Sequence, residues 1–347
     1  VLVALTDRVD PRRVYAFSAL LAVASSVGFG WLAEGFWTAT LFRALAGFGL
    51  AGTYMPGLKA LTDHIGPAQQ SRGVAFYTAS FSIGSSLSFF LAGEIDAWLG
   101  WRWAFVLSGV GPALALGLVW GLVPATGPHQ LETPSRFLLD FRPVLVNRRA
   151  MAYVLAYCAH NWELFALRSW LVAFLVFAQA QHEAGAPGAL WSATVVAAVV
   201  NLVGLPSSVL ANELTRRFGR RGVVVAVMSS SALLASLLGF LTGLPIPLLV
   251  AICFIYGVTV TADSASITAG VVAHAAPGAR GATMAVHSFI GFAGAFVGPI
   301  VFGGVLDLAG GGAVPLSWGL AFLSSGLAVA LGPVAVLVLG RRSAQPS

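Results

Sequence analysis

The sequence predicts an all-α, polytopic membrane protein arranged as two helical bundles. Three observations predict it. Hydrophobic residues make up 58% of the 347-residue chain and charged residues 9%, against roughly 25% charged in an ordinary soluble domain. The apolar residues gather into runs long enough to cross a bilayer as helices, which takes about 20 residues each. Two short basic turns, Thr6–Arg13 and Thr215–Arg221, recur at matching places, with Asp7 and Arg216 lying 209 positions apart.

In chain order, residues 1–6 are the tail of a span. Ten full spans follow at 14–33, 36–62, 73–95, 101–123, 149–178, 188–214, 222–243, 246–274, 279–308 and 315–339. Some exceed 25 residues and are expected to tilt or to extend into water. Gly111-Pro112, Gly298-Pro299 and Gly332-Pro333 fall inside spans. Transmembrane helices tolerate such breakers because neighbouring helices re-satisfy the freed backbone groups. Residues 124–148 are polar, with Pro124, Pro128, Pro134 and Pro143, and read as a cytoplasmic linker. The predicted organisation is an incomplete N-terminal bundle over 1–123, the linker 124–148, and a C-terminal bundle over 149–347.

Charge sets the orientation. With the Asp7–Arg13 turn in the cytoplasm, the cytoplasmic segments hold Arg8, Arg12, Arg13, Arg72, Arg136, Arg142, Arg148, Arg149, Arg216, Arg217, Arg220, Arg221, Arg280, Arg341 and Arg342. The opposite face keeps only Arg102 near its surface. This asymmetry is the one the positive-inside rule describes, and it places the C-terminus in the cytoplasm. The net charge of +6 does not point to nucleic acid. Its arginines sit in turns between apolar runs, with no basic face or aromatic interleaving.

The halves echo each other twice. Arg72 and Arg280, each shortly after a proline and each opening a run, are 208 positions apart, close to the offset of the charged turns. Two landmarks sharing an offset argue for an internal repeat. The second half has 67 residues from 149 to Arg216 and the first only six before Asp7. A first span and part of a second are therefore expected in front, which gives twelve spans as six plus six.

With Asp7, Arg8, Arg12 and Arg13 in the first charged turn, Arg43, Gly47 and Gly49 in the second full span and Gly100-Trp101-Arg102 opening the fourth, the chain resembles the major facilitator superfamily of secondary transporters. That family's loop between spans two and three reads Gly-x-x-x-Asp-Arg/Lys-x-Gly-x-Arg/Lys-Arg/Lys. Here the frame holds Val3, Asp7, Arg8, Asp10, Arg12 and Arg13, with both glycines replaced. The second copy keeps Gly219 and Arg221. Arg43, Gly47 and Gly49 fit the family's fourth-span Arg-x-x-x-Gly-x-Gly, and Gly100-Trp101-Arg102 fits the opening of its sixth. The family's drug–proton antiporters often end span five with a Gly-Pro-rich stretch. Run 73–95 has Gly84 and Gly93 but no proline, and the nearest such stretch is Gly294, Gly298, Pro299, Gly303 and Gly304 in the eleventh span. Tyr54-Met55-Pro56-Gly57 and the Trp162-to-Trp170 segment are similar to those of nitrate, cyanate or organic-anion carriers.

The resemblance implies alternating access between two bundles, with Asp7, Arg8, Arg12 and Arg13 as a cytoplasmic gate. A carboxylate there can bind the positive end of a neighbouring helix. The other reading is that these charges only fix topology. The expected partners are a small-molecule substrate, the lipid bilayer and protons, with no nucleic acid, and the chain is expected to act as a monomer in a bacterial inner membrane. Neither a cofactor nor a metal is expected, because the six histidines lack ligand spacing. A multi-span enzyme or receptor would need a catalytic dyad, metal ligands or a large soluble domain, and the sequence offers none. Cys158 and Cys253 lie in apolar runs and read as free thiols.

Ionisable groups inside a bilayer are costly and mark pathways. Run 149–178 holds His160, Asn161, Glu163 and Arg168. Glu163 lies ~21 Å into its helix at 1.5 Å per residue, near the midplane. His160 and Glu163 share a face, whereas Glu163 and Arg168 are about 140° apart, which excludes a simple intrahelical pair. Glu163 or His160 is expected to exchange a proton, and Arg168 to meet the substrate or a carboxylate on another helix. The alternative is a structural ion pair. Tyr256, Thr259, Asp263, Ser266 and Gly270 form a polar stripe that lines the cavity or packs on another helix. Arg43 and Tyr54 on the second full span are further substrate candidates, with Arg43 either anion-binding or reaching the outer interface. Asn201 and His287 are weaker candidates. The function expected is movement of a small polar or anionic solute, coupled to protons. The alternative is proton-coupled drug efflux.

Overall fold

The computed structural model describes residues 10–64, 67–124, 141–182, 192–276 and 280–340. Among these the ordered elements are all helices: α1 Pro11–Leu32, α2 Phe36–His64, α3 Pro67–Leu99, α4 Trp101–Ser108, α5 Val110–Leu122, α6 Arg142–Leu145, α7 Arg148–His182, α8 Ala193–Leu202, α9 Gly204–Phe218, α10 Arg220–Leu238, α11 Ile246–Ala262, α12 Ser264–His274, α13 Arg280–Leu308 and α14 Pro315–Leu339. Within the described residues each of the ten predicted spans falls mostly on helix, three of them on a consecutive pair. Eight stretches among the described residues are long and apolar enough to cross a membrane. The other two predicted spans fall in α2 and α3, which at 29 and 33 residues are long enough to cross.

The three split spans have local causes. Proline lacks an N–H and crowds the carbonyl four residues back. The carbonyl four back from Pro112 is that of Ser108, where α4 ends; four back from Pro206 is Leu202, where α8 ends. The α11–α12 break at Asp263 has no proline. There Thr261 Oγ1 donates back to the Gly257 carbonyl at 2.8 Å, a bond that bends helices. Pro299 and Pro333 lie inside unbroken helices, as lipid-embedded helices permit.

The turns differ between the two copies of the basic loop. Asp10 caps α1 by accepting from the Arg12 N–H at 2.9 Å, with Pro11 at the first helical position. Its counterpart Gly219 has no side chain to offer and turns the chain at φ +76° instead, a conformation that favours glycine. Asp7 and Arg8 lie outside the described residues, as does most of the predicted linker, 125–140. The end of that linker is ordered: α6 is a single turn, and its Val144 is buried in one core with Val154 and Met228.

Packing divides the chain into two units, Val1–Leu138 and Leu139–Ser347. In the first, α1 packs on α2, α4 and α5, and α3 on α4. In the second, α7 is central, touching α12, α13 and α14, while α10 packs on α14. The core of this unit joins Val154 and Ala156 of α7 to Val224 and Met228 of α10, Ile267 and Val271 of α12 and Val329 of α14. The α7–α13 contact runs along glycines. A Cβ at Gly294 would strike the Cys158 carbonyl, and one at Gly298 the Trp162 carbonyl. Small residues let lipid-embedded backbones approach this closely. The outer side of α13 carries exposed Phe289 and Phe296, 79% and 71% accessible, which suit acyl chains.

Candidate functional site

The polar residues of α7 are deeply set. His160, Asn161 and Glu163 are 1%, 3% and 1% exposed. The 3.6-residue repeat puts His160 and Glu163 on one face, and that face meets α10 and the α11–α12 break. Glu163 Oε1 accepts from Ser231 Oγ of α10 at 2.8 Å, and the Tyr256 hydroxyl of α11 also hydrogen-bonds this carboxylate. His160 Nδ1 lies 2.8 Å from Asp263 Oδ1, an ion pair when the imidazole is protonated. A buried charge is tolerated only when paired and hydrogen-bonded, and each carboxylate here has a partner from another helix.

A second face of α7 turns to α13. The Tyr157 ring stacks on His287 with centroids 3.9 Å apart and lies 5.8 Å from His160. Gly291 leaves room for Tyr157 and Asn161 against α13. On this face His287 Nδ1 is buried without a hydrogen-bond partner among the described residues.

Further along α7, half-buried Arg168 donates through Nε to Asn201 Oδ1 of α8 at 2.8 Å. Asn201 in turn donates to the Ala197 carbonyl at 2.9 Å. Trp170 Nε1 donates to the Pro299 carbonyl at 3.0 Å, tying α7 to α13 where the proline sits.

Six of the residues singled out in the sequence thus pair or cluster in the second unit: His160 with Asp263, Glu163 with Tyr256, and Arg168 with Asn201. The others stand differently. Thr259 bonds its own helix, donating to the Tyr256 carbonyl at 3.0 Å. Arg43 is exposed on α2. Tyr54 packs its ring 5.5 Å from Tyr77, whose hydroxyl donates to the Tyr54 carbonyl at 2.6 Å. Arg13 is exposed, while Arg12 Nη2 donates to the Trp120 carbonyl at 3.2 Å with its guanidinium 5.0 Å from that indole. Sequence reading passed over Ser231 and Tyr157. The signal for Ser231 was the run Ser229-Ser230-Ser231 inside an otherwise apolar span.

The comparisons agree with this architecture. The family model for the Major Facilitator Superfamily matches residues 1–299. A benzoate transport protein of Acinetobacter baylyi is 24% identical over 88% of this chain and 70% of its own length. The crystal structure of a bacterial homologue of the human lysosomal transporter Spinster, inward-facing and unoccupied, superposes with a TM-score of 0.64 at 16% identity. That match covers 97% of this chain and 83% of the other. The chain belongs to the major facilitator superfamily, and it is a membrane-embedded transporter.

Proposed function

We propose that this transporter moves a small anionic solute by alternating access and couples that movement to protons. The single observation that carries the reading is the division of labour between Arg168 and two buried carboxylates. Arg168 is half-buried and oriented by Asn201, whereas Glu163 and Asp263 are fully buried. A guanidinium that is only half-buried can recognise a carboxylate or a similar planar anion. A buried carboxylate held by hydroxyl donors and an imidazole–carboxylate pair can take up or release a proton when helices shift and water enters. The benzoate transport protein among the relatives makes an aromatic carboxylate the first solute to test. Arg43 and Tyr54 are proposed as contributions of the first unit to solute binding. Asp7, Arg8, Arg12 and Arg13 are proposed as the gate of a carrier set in a bacterial inner membrane, its C-terminus cytoplasmic.

The test is uptake by purified protein in liposomes, with benzoate, nitrate and a cationic dye offered with and without a pH gradient. Saturable uptake of benzoate or nitrate that depends on the gradient is expected. Exchange of the dye alone would replace this reading with drug efflux.

A further inference from the structure

A second site lies at the end of the second unit where α7 and α10 begin and α12 and α14 finish. A pocket of about 240 Å³ opens there between Arg149, Tyr153, Arg221, His274, Val336 and Gly340. Two of these side chains are guanidiniums and none is a carboxylate. The pocket is held in shape by bonds that do not involve a ligand. Asn147 ties the start of α7 to the end of α12, donating to the His274 carbonyl at 2.7 Å and accepting from the Ala150 N–H at 3.2 Å. Arg221 Nη2 donates to the Leu337 carbonyl at 3.0 Å, which fixes the guanidinium over the end of α14. Tyr153 stacks on His274, centroids 5.4 Å apart, and makes a flat wall. His274 Nδ1 lies 2.8 Å from the Gly270 carbonyl. A carbonyl only accepts, so Nδ1 carries the proton and Nε2 remains for another partner.

We propose that this pocket binds a phosphate-bearing anion. Arg149 supplies a planar fork of donors, which matches phosphate oxygens two at a time, and Arg221 adds its charge. The N-termini of α7 and α10 reinforce the positive field. The C-termini of α12 and α14 oppose it, and the Leu337 carbonyl is already neutralised by Arg221. The location matters as much as the charge. Leu337 and Val338 beside the pocket are 41% and 52% exposed, so apolar surface suited to an acyl chain adjoins the basic cavity. Basic pockets between transmembrane helices hold lipid head groups in this manner. The shared chemistry is the phosphate, supplied either by an anionic phospholipid or by the free ion.

The experiment follows thermal unfolding of the purified protein in neutral detergent. Phosphatidylglycerol is titrated against phosphatidylcholine, and inorganic phosphate against chloride at matched ionic strength. Native protein is compared with Arg149→Gln, Arg149→Lys and Arg217→Gln, the last removing an exposed charge near the same end but outside the pocket. The expected result is a saturable rise in midpoint with a phosphate probe. Arg149→Gln should weaken the apparent affinity about tenfold, as loss of one charge-assisted bond does. Arg149→Lys should weaken it less, and Arg217→Gln should leave it unchanged. A response to phosphatidylglycerol alone assigns the lipid, and a response to both probes assigns the free ion as sufficient. No saturable response in the native protein, or equal loss in Arg149→Gln and Arg217→Gln, overturns the proposal.

Discussion

Arg12 and Arg221 hold equivalent places in their helices, and each reaches the same point on another. Each is the second residue of its helix, α1 or α10, and each donates through Nη2 to a carbonyl two residues before a helix ends. Arg12 meets Trp120 of α5 at 3.2 Å, and Arg221 meets Leu337 of α14 at 3.0 Å. The two arginines are 209 positions apart, the offset of the basic turns. A cation at a helix C-terminus satisfies an orphan carbonyl and opposes the negative end of the dipole. Replacing either by Gln should cost about 0.5–2 kcal/mol and lower the unfolding midpoint by similar amounts in the two variants. A large loss in one and none in the other would show that the contacts are not equivalent.

Glu163→Gln keeps the shape of the side chain and its acceptor oxygen but cannot exchange a proton. Uptake by this variant should persist and lose its response to a pH gradient. Gradient dependence identical to the native protein would remove Glu163 from the coupling step. Ser231→Ala is the companion change. It takes one donor from a fully buried carboxylate and should lower stability by about 1–3 kcal/mol, measured by thermal unfolding.

His160 and Asp263 should be energetically coupled across the break between α11 and α12. In a double-mutant cycle of His160→Ala and Asp263→Asn, the coupling should exceed about 1 kcal/mol. Additive losses would mean that the 2.8 Å approach contributes nothing beyond packing.

The spans and the repeat were legible because lipid imposes long apolar runs and charge is confined to turns. The candidate residues were legible for the same reason: Glu163, Asp263 and Arg168 stand out in apolar surroundings. Their partners were less visible. A serine such as Ser231 is unremarkable in a transmembrane helix, and only tertiary packing brings it to 2.8 Å from Glu163. Helix breaks were half legible. Pro112 signals one, but the chain breaks a turn earlier, at Gly109, because the proline removes the partner of a carbonyl four residues back. The break at Asp263 has no such marker, so the polar stripe reads as one helix although it spans two. Gly294 and Gly298 stand out in the sequence only as part of a Gly-Pro-rich stretch in a different span from the one the antiporters use; in the structure they seat α13 on α7.

Asp7→Asn tests the proposed gate. A carboxylate that helps hold one conformation shut should affect turnover more than affinity. The variant should therefore transport more slowly at nearly unchanged substrate Kd, measured by uptake and by equilibrium binding. Native turnover would leave these charges with topology alone.

The glycines of α13 separate packing from flexibility. Gly294 faces the Cys158 carbonyl so closely that an added Cβ meets backbone, which cannot move aside as a side chain can. Gly304, three turns on in the same helix, has nothing within 4 Å of its added Cβ. The same substitution should therefore act in opposite directions at the two sites. Gly304→Ala removes the entropic cost of glycine in a helix and should stabilise by about 0.4–1 kcal/mol. Gly294→Ala must push α13 away from α7 and should destabilise by about 1–3 kcal/mol, the range for overpacking. The displaced helix also carries His287, stacked on Tyr157, and Pro299, whose carbonyl receives Trp170, so substrate affinity should fall with stability. Thermal unfolding and benzoate uptake on the two variants read both effects. Equal stability of Gly294→Ala and Gly304→Ala would mean that the α7–α13 seam is not set by backbone contact.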